Sequence, residues 1–207
     1  MVDSDADLAA LRQAATEREW GTAQDILTRL MMQIEFYAGL EIALKRAYDH
    51  LPTFEQHHSD AGWARSLLVW IASYGAAPAN LPIEASNPYP SPGAANYVKA
   101  LIDLARGVER QTPLENRVRF LADALCNVML SDLAAFWYSE HPDRWGLQQT
   151  RGEEIDPATG MTLPQSIYAQ FWLDEEVARR DTAAWLEVAE ALAKKLGDTR
   201  KVDHDEH

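Results

Sequence analysis

The sequence feature that most constrains the fold is a repeated signal for the start of an α-helix. At five candidate helix starts a serine or threonine stands three residues before an aspartate, glutamate or glutamine. The five pairs are Ser4 with Asp7, Thr22 with Asp25, Thr53 with Gln56, Thr112 with Glu115, and Thr162 with Gln165. In such a capping box the two side chains bond to backbone N–H groups that the first helical turn leaves unpaired. Five boxes therefore predict at least five helices.

Apolar residues after these signals recur at intervals of three and four, which is the spacing of one buried helix face. This spacing predicts helices over residues 22–51, 53–74, 91–110, 113–140, 163–180 and 182–196. Strand patterns are nearly absent. We therefore predict an all-α, single-domain fold, a mainly antiparallel bundle of six or seven helices with two long ordered loops.

The first of these loops contains five of the chain's ten prolines, between Pro78 and Pro92. Because Ser91 and Pro92 fit the cap and the first position of the next helix, we interpret the loop as an ordered strap across the bundle. We expect Tyr89 to pack back over the bundle. A polyproline ligand for a partner is the alternative.

The second loop covers residues 141–161, where the sequence DPATG predicts a turn and is compatible with a short β-hairpin. At the end of the chain, Gly197 is a typical helix stop. We therefore predict a single helical domain over residues 1–197, followed by a charged, disordered tail over residues 198–207.

The charge of the chain limits its partners. Its 207 residues include 19 basic and 32 acidic side chains, a formal net charge of −13. This charge repels nucleic-acid phosphates and anionic lipids, so we expect no direct nucleic-acid binding and no membrane binding. A protein partner with a basic surface is its natural complement, and a homodimer is also compatible with these features.

The N-terminus and the cysteine count indicate a cytoplasmic protein. Acidic residues stand at the N-terminus where a secretory signal carries basic ones, and no apolar run reaches transmembrane length. The chain has one cysteine, so it forms no intramolecular disulfide.

Three histidines in the segment HLPTFEQHHSD raise the question of a metal site. Glu55 and His58 have the E-x-x-H spacing that is half of the di-iron carboxylate pattern, and His57 adjoins them. The second E-x-x-H pair of that pattern is missing from the chain. We therefore interpret these residues as a surface or partly buried histidine pair, and we predict no metal and no cofactor.

Three other polar sites have a structural and a functional interpretation. Glu41 lies on an apolar helix face, where a carboxylate can act as a general acid, but Lys45 follows at ion-pair spacing. Asn127 and Ser131 can orient a ligand, although a bond to neighbouring backbone is the commoner role. Cys126 has no basic neighbour in sequence and is interpreted as a packed core residue.

Aromatic residues beside the two loops are the most distinctive remaining feature. Trp137 and Tyr138 precede the second loop, Trp145 lies in it, and Tyr89 lies in the first loop. Trp and Tyr are favoured at interfaces because they bury a large area at a small entropic cost. We therefore predict these four residues as partner- or ligand-binding residues, with packing in the core as the alternative.

The sequence contains no G-x-S-x-G elbow, no Walker loop and no G-x-G-x-x-G motif. We therefore predict a non-enzymatic, acidic helical interaction protein: an adaptor, assembly factor or maturation chaperone that docks a protein partner. One alternative is a helical-bundle enzyme, or a cofactor- or metal-binding protein, with its site between helices. Another is an acidic inhibitor or immunity-type protein that blocks a basic effector or nucleic-acid site.

Overall fold

A computed structural model describes residues 4–73, 81–148 and 154–205, with side chains to residue 198. Over these ranges the chain forms nine α-helices, one short 3-10 helix and no strand, so the all-α prediction is confirmed. The α-helices are α1 (Ser4–Glu17), α2 (Trp20–Met31), α3 (Phe36–His57), α4 (Gly62–Ala72), α5 (Ala94–Gly107), α6 (Leu114–Glu140), α7 (Pro142–Gln148), α8 (Leu163–Leu173) and α9 (Glu175–Asp205). The 3-10 helix covers Ile83–Ser86.

Two groups of buried side chains hold the helices together. The larger core is built by α1 to α6 with α9 and includes the fully buried Leu27, Leu101 and Trp185. The smaller core joins the end of α6 to α8 and the start of α9 through residues such as Trp137 and Phe171. The second core places α8 beside the C-terminal half of α6.

The predicted helix over residues 22–51 is divided in two. α2 ends at Met31 and α3 begins at Phe36, but the buried Met31 and Ile34 continue the apolar spacing across the turn. The predicted end of this helix at residue 51 is also wrong, because Pro52 lies inside α3 and does not end it. Packing of the neighbouring Leu51 and Phe54, both buried, outweighs the roughly 3 kcal/mol that an internal proline costs.

The helix boundary predicted near Asp181 lies instead at Asp174. The Asp174 carboxylate accepts hydrogen bonds from the backbone N–H groups of Glu176 at 2.9 Å and Val177 at 3.0 Å, which caps α9. α9 then continues through Gly197 to Asp205, so the predicted stop at Gly197 is wrong. A glycine lowers helix propensity without forcing a helix to end.

Of the five predicted capping boxes, the one at Thr162 forms at a helix start. The backbone N–H of Thr162 donates to Gln165 Oε1 at 3.4 Å. Thr22 and Thr53 lie inside α2 and α3, so their hydroxyls cap nothing. The start of α6 is displaced by one residue, because Pro113 occupies the cap position that was predicted for Thr112.

α6 is the central helix and packs against α2, α3, α5, α7 and α9. The short connection over residues 108–113 brings it back along α5 as a helical hairpin. By length and apolar composition it is also the one helix among the described residues that is suited to cross a membrane. In this structure 56% of its most apolar window is buried inside the protein, as for a core helix.

The strap, here residues 81–93, crosses α6 before α5 begins. α5 starts at Ala94, three residues after the predicted Ser91, and Gly93 occupies the cap position with a φ of 77°. A Cβ atom on Gly93 would lie 2.5 Å from the Ser131 carbonyl oxygen. Only glycine combines this left-handed backbone with so close an approach to α6. Residues 78–80 of the predicted loop lie outside the described ranges.

The second predicted loop is partly helical. α7 occupies its first part, and residues 149–153 lie outside the described ranges. The expected turn forms at residues 156–160, where the Asp156 carboxylate accepts the backbone N–H of Ala158 at 2.9 Å and Gly160 has a φ of 70°. One antiparallel bridge, between Ile155 and Thr162, closes it in place of a longer hairpin.

Gly93→Ala tests the close approach of the strap to α6, with Gly160→Ala as the matched control. Both glycines have positive φ, but nothing lies within 4 Å of a Cβ on Gly160. We expect Gly160→Ala to lower the free energy of unfolding by about 1 kcal/mol and Gly93→Ala by about 3 kcal/mol or more. Urea unfolding measures both values. Equal losses would show that the Ser131 contact adds no constraint.

Candidate functional site

Two cavities meet at the strap and share a wall formed by Ser91, Tyr138 and Trp145. The larger, which we call the histidine cavity, has a volume of about 420 Å³ and lies between α3, the strap, α6 and α7. The smaller, which we call the aromatic groove, has a volume of about 290 Å³ and lies between the strap, the first turn of α5, α6, α7 and α8. Cavities of this size accommodate small ligands or single large side chains.

Hydrogen bonds from surrounding helices fix the strap in place. Trp63 Nε1 donates to the Tyr89 hydroxyl at 2.7 Å, and this hydroxyl donates to the Glu84 carbonyl at 3.0 Å. Trp145 Nε1 donates to the Pro90 carbonyl at 2.8 Å. The prediction that Tyr89 packs back over the bundle is confirmed, since its ring also contacts Phe54 with 5.1 Å between ring centroids.

Two buried histidines bond to the end of the strap or to the serine beneath it. His58 Nε2 lies 2.7 Å from Ser91 Oγ, which explains why Ser91 is not the cap of α5. His50 Nε2 lies 2.8 Å from Ser131 Oγ, and the same hydroxyl lies 2.9 Å from the Gly93 carbonyl. α3 and α6 therefore hold the strap at two successive points.

The His50 side chain also contacts Asp132 through Nδ1, so Asp132, His50 and Ser131 follow the order of a hydrolase triad. The arrangement lacks access to substrate. Ser131 is 0% exposed, and the Gly93 backbone covers its hydroxyl. Ser131 thus has the commoner of its two predicted roles, a bond to neighbouring backbone, and the three residues link α3, α6 and the strap.

Proton positions in this link follow from which atoms can donate. Asp132 accepts from Nδ1–H of His50, because an ionised carboxylate has no proton to give. Ser131 has one proton and two acceptors in reach, His50 Nε2 and the Gly93 carbonyl. Either acceptor can take this proton, so the Ser131 hydroxyl is held between His50 of α3 and the strap.

The aromatic groove is built from rings and contains no charged side chain in its lining. Its six aromatic residues are Tyr89, Tyr138, Trp145, Tyr168, Phe171 and Trp172. Tyr138 meets Trp145 edge to face at 5.0 Å between ring centroids, and Phe171 meets Trp172 at 4.9 Å. Burial raises the pKa of Tyr138 to about 12, so its hydroxyl is neutral at physiological pH.

Behind the groove, a buried ion pair supports Trp172. The Arg18 guanidinium lies 5.6 Å from the centre of the Trp172 ring, and Arg18 Nε lies 3.5 Å from Asp181 Oδ2. Trp20 donates to the same carboxylate at 3.1 Å. Burial raises the pKa of Asp181, although these partners favour its ionised form. Arg18 has a φ of 58°, a strained value for a residue with a Cβ atom.

The structure brings three of the four predicted binding residues together. Tyr89 and Tyr138 line the aromatic groove, and Trp145 and Tyr138 line both cavities. Trp137 lies apart from them: it is 3% exposed, and its Nε1 donates to Asp174 at 3.3 Å. It is a core residue that fixes the start of α9. Packing in the core was the alternative predicted for these aromatic residues.

The four predicted binding residues do not include the groove wall on α8. Tyr168, Phe171 and Trp172 all line the groove. Their spacing of three and four residues places them on one side of a helix, so the signal was present in the sequence. The contact between His50 and Asp132 had no such signal, because the two residues are 82 positions apart.

The predicted metal candidates have separate partners. Glu55 accepts from Arg65 Nε at 2.9 Å, His57 Nδ1 donates to the Thr53 carbonyl at 2.8 Å, and His58 bonds to the strap. Within the described part of the chain, no group of three or more His, Cys, Asp or Glu side chains is placed to hold a metal ion.

The remaining polar candidates have structural partners. Glu41 accepts from Lys195 of α9 at 2.6 Å, while Lys45 donates to Asp49. Asn127 donates to the Asp123 carbonyl one turn earlier in α6. Burial raises the pKa of the Cys126 thiol, which keeps it protonated and unreactive, as predicted for a core cysteine.

Comparison of the chain with protein-family models, curated proteins and solved structures finds no match. The two cavities and their walls are therefore the basis for a functional assignment.

His58→Gln tests how the strap bond depends on pH. Burial lowers the pKa of His58, and the nearby His57 lowers it further. At a pH between the lowered pKa and the ordinary value of 6.5, His58 is protonated in the unfolded chain but neutral in the folded chain. The free energy of unfolding therefore falls as pH decreases through 6.5. Glutamine can still bond to Ser91 but does not titrate.

We expect the variant to lose this part of the pH dependence, measured by urea unfolding at about pH 5.5 and 7.5. The same pH-dependent loss in both proteins would contradict the assignment to His58.

Proposed function

We propose that this protein is a non-enzymatic binding protein, an adaptor, assembly factor or maturation chaperone, that holds an apolar segment of a basic protein partner in the aromatic groove. The observation that carries the proposal is the lining of the groove: six aromatic side chains and no charged one. Such a lining favours a large apolar side chain and excludes an isolated charge, which would lose its hydration without gaining a partner.

The segments that build the groove are strongly acidic. Residues 81–96, 138–148 and 154–175 contain seven acidic residues and a single arginine or lysine, Arg144. The acidic residues are Glu84, Glu140, Asp143, Glu154, Asp156, Asp174 and Glu175. Arg144 lies 3.6 Å from Asp143, so its charge is offset locally. A partner with lysine or arginine residues on both sides of an apolar anchor complements this pattern.

Three exposed apolar side chains on the same segments form the proposed rim of the groove. Ile83 of the strap is 82% exposed, Leu173 at the end of α8 is 81% exposed, and Tyr168 is 56% exposed. Apolar residues clustered around a cavity are typical of an interaction site, whereas isolated ones are common on any surface. A peptide can therefore insert one side chain into the groove while its neighbours contact this rim.

The enzyme alternative has one observation in its favour, the triad order of Asp132, His50 and Ser131. The strap covers Ser131, and neither cavity is lined by its hydroxyl. Backbone already occupies the position at which a substrate carbonyl would have to approach. The geometry therefore favours a binding role over catalysis.

Selection from a random peptide-display library tests the proposal. We expect enriched peptides to contain a large aromatic or aliphatic residue flanked by lysine or arginine, and their binding to weaken as salt concentration rises. Tyr168→Ala should weaken binding of the selected peptides roughly tenfold, as at an interface hot spot.

Tyr37→Ala is the matched control. Tyr37 is 51% exposed but lies on α3, outside the lining of both cavities, so we expect unchanged binding. Enrichment of acidic or wholly polar peptides would contradict the proposal. So would equal losses of affinity in the Tyr168 and Tyr37 variants.

A further inference from the structure

The histidine cavity differs in chemistry from the aromatic groove. No Asp, Glu, Lys or Arg side chain lines it, and most of its surface comes from apolar atoms of α3, α6, α7 and the strap. Rings of Phe54, Phe136, Tyr138 and Trp145 form part of its walls. A charged ligand would lose its hydration here without an ionic partner, so the cavity suits a neutral, largely apolar molecule.

Two side chains in the lining of this cavity, His57 and Ser139, offer hydrogen-bond acceptors. His57 Nδ1 must donate its proton to the Thr53 carbonyl, 2.8 Å away, because a carbonyl oxygen only accepts. In the neutral imidazole this fixes Nε2 as an acceptor, and the described residues supply no hydrogen bond to it. Ser139 likewise donates its hydroxyl proton to the Phe136 carbonyl at 2.7 Å, which leaves its oxygen as an acceptor.

The other histidine in the wall does not compete for a ligand. Both ring nitrogens of His50 are engaged, one by Asp132 and the other by Ser131. His57 is therefore the histidine that can recognise a ligand, and it does so by accepting a hydrogen bond.

From this donor–acceptor pattern, we propose that the histidine cavity binds a neutral aromatic compound with one hydrogen-bond donor, a phenol or an arylamine. The ring packs between the aromatic walls, and its O–H or N–H donates to His57 Nε2. This site is separate from the one in which the partner segment is proposed to bind, although Tyr138 and Trp145 border both.

Calorimetric titration of the full chain with naphthol, its methyl ether and naphthalene tests the proposal. The three probes share a ring system, and naphthol alone has a donor. We expect naphthol to bind about fivefold or more tightly than the other two, the difference that one net hydrogen bond makes. Equal binding of the three probes, or no binding of naphthol up to about 1 mM, would overturn the proposal.

Two variants locate the bound probe. His57 is exposed on one side, so His57→Ala should fold, which thermal melting checks. It should remove the preference for naphthol and leave naphthalene binding unchanged. Tyr168→Ala alters only the aromatic groove and should leave naphthol affinity unchanged. A preference that survives in His57→Ala, or is lost in Tyr168→Ala, would contradict binding in the histidine cavity.

Discussion

The contact between the Gly93 backbone and Ser131 of α6 is the constraint on which both cavities depend. This contact holds the strap against α6. α5 begins at the next residue, Ala94, and His50 bonds to the same serine. The strap then forms a wall of each cavity, with Ser91 on both sides. A side chain at position 93 would lift this wall from α6 and open the boundary between the two cavities.

The residues that hold the strap form hydrogen bonds with its polar groups, and no Asp, Glu, Lys or Arg side chain lines either cavity. Strap atoms form hydrogen bonds with Trp63, Trp145, His58 and Ser131. Of these four residues, Trp145 also lines the aromatic groove, together with five other aromatic rings. The acidic residues lie on the segments around it, where water can solvate them. The uncharged lining of the groove is thus built by segments that carry acidic residues outside it.

The sequence predicted features that depend on local spacing. The all-α fold, the capping box at Thr162 and the packing of Tyr89 all follow from periodicity, caps or proline positions. The break after Met31 escaped prediction because buried residues on both sides kept the helical spacing. Packing also explains why Pro52 does not end α3, since Leu51 and Phe54 are buried in the core.

Contacts between residues that are far apart in the sequence could not be predicted from local spacing. Nothing in the sequence near His50 or Asp132 signals that they meet. Nothing near Trp137 signals that it bonds to Asp174 while its neighbour Tyr138 lines both cavities. The site became visible only when tertiary packing placed the strap, α7 and α8 side by side.

Hydrogen exchange in a Ser131→Ala variant most directly tests whether the strap depends on this serine. Ser139→Ala, which removes an exposed hydroxyl from the same helix, is the control. Loss of the Ser131 hydroxyl removes its hydrogen bonds to His50 Nε2 and the Gly93 carbonyl, so amide exchange in residues 83–93 and 142–148 should rise by about tenfold relative to the control. Exchange in α1 and α2 should stay the same. Unchanged exchange in the strap, or an equal rise throughout the chain, would contradict the account.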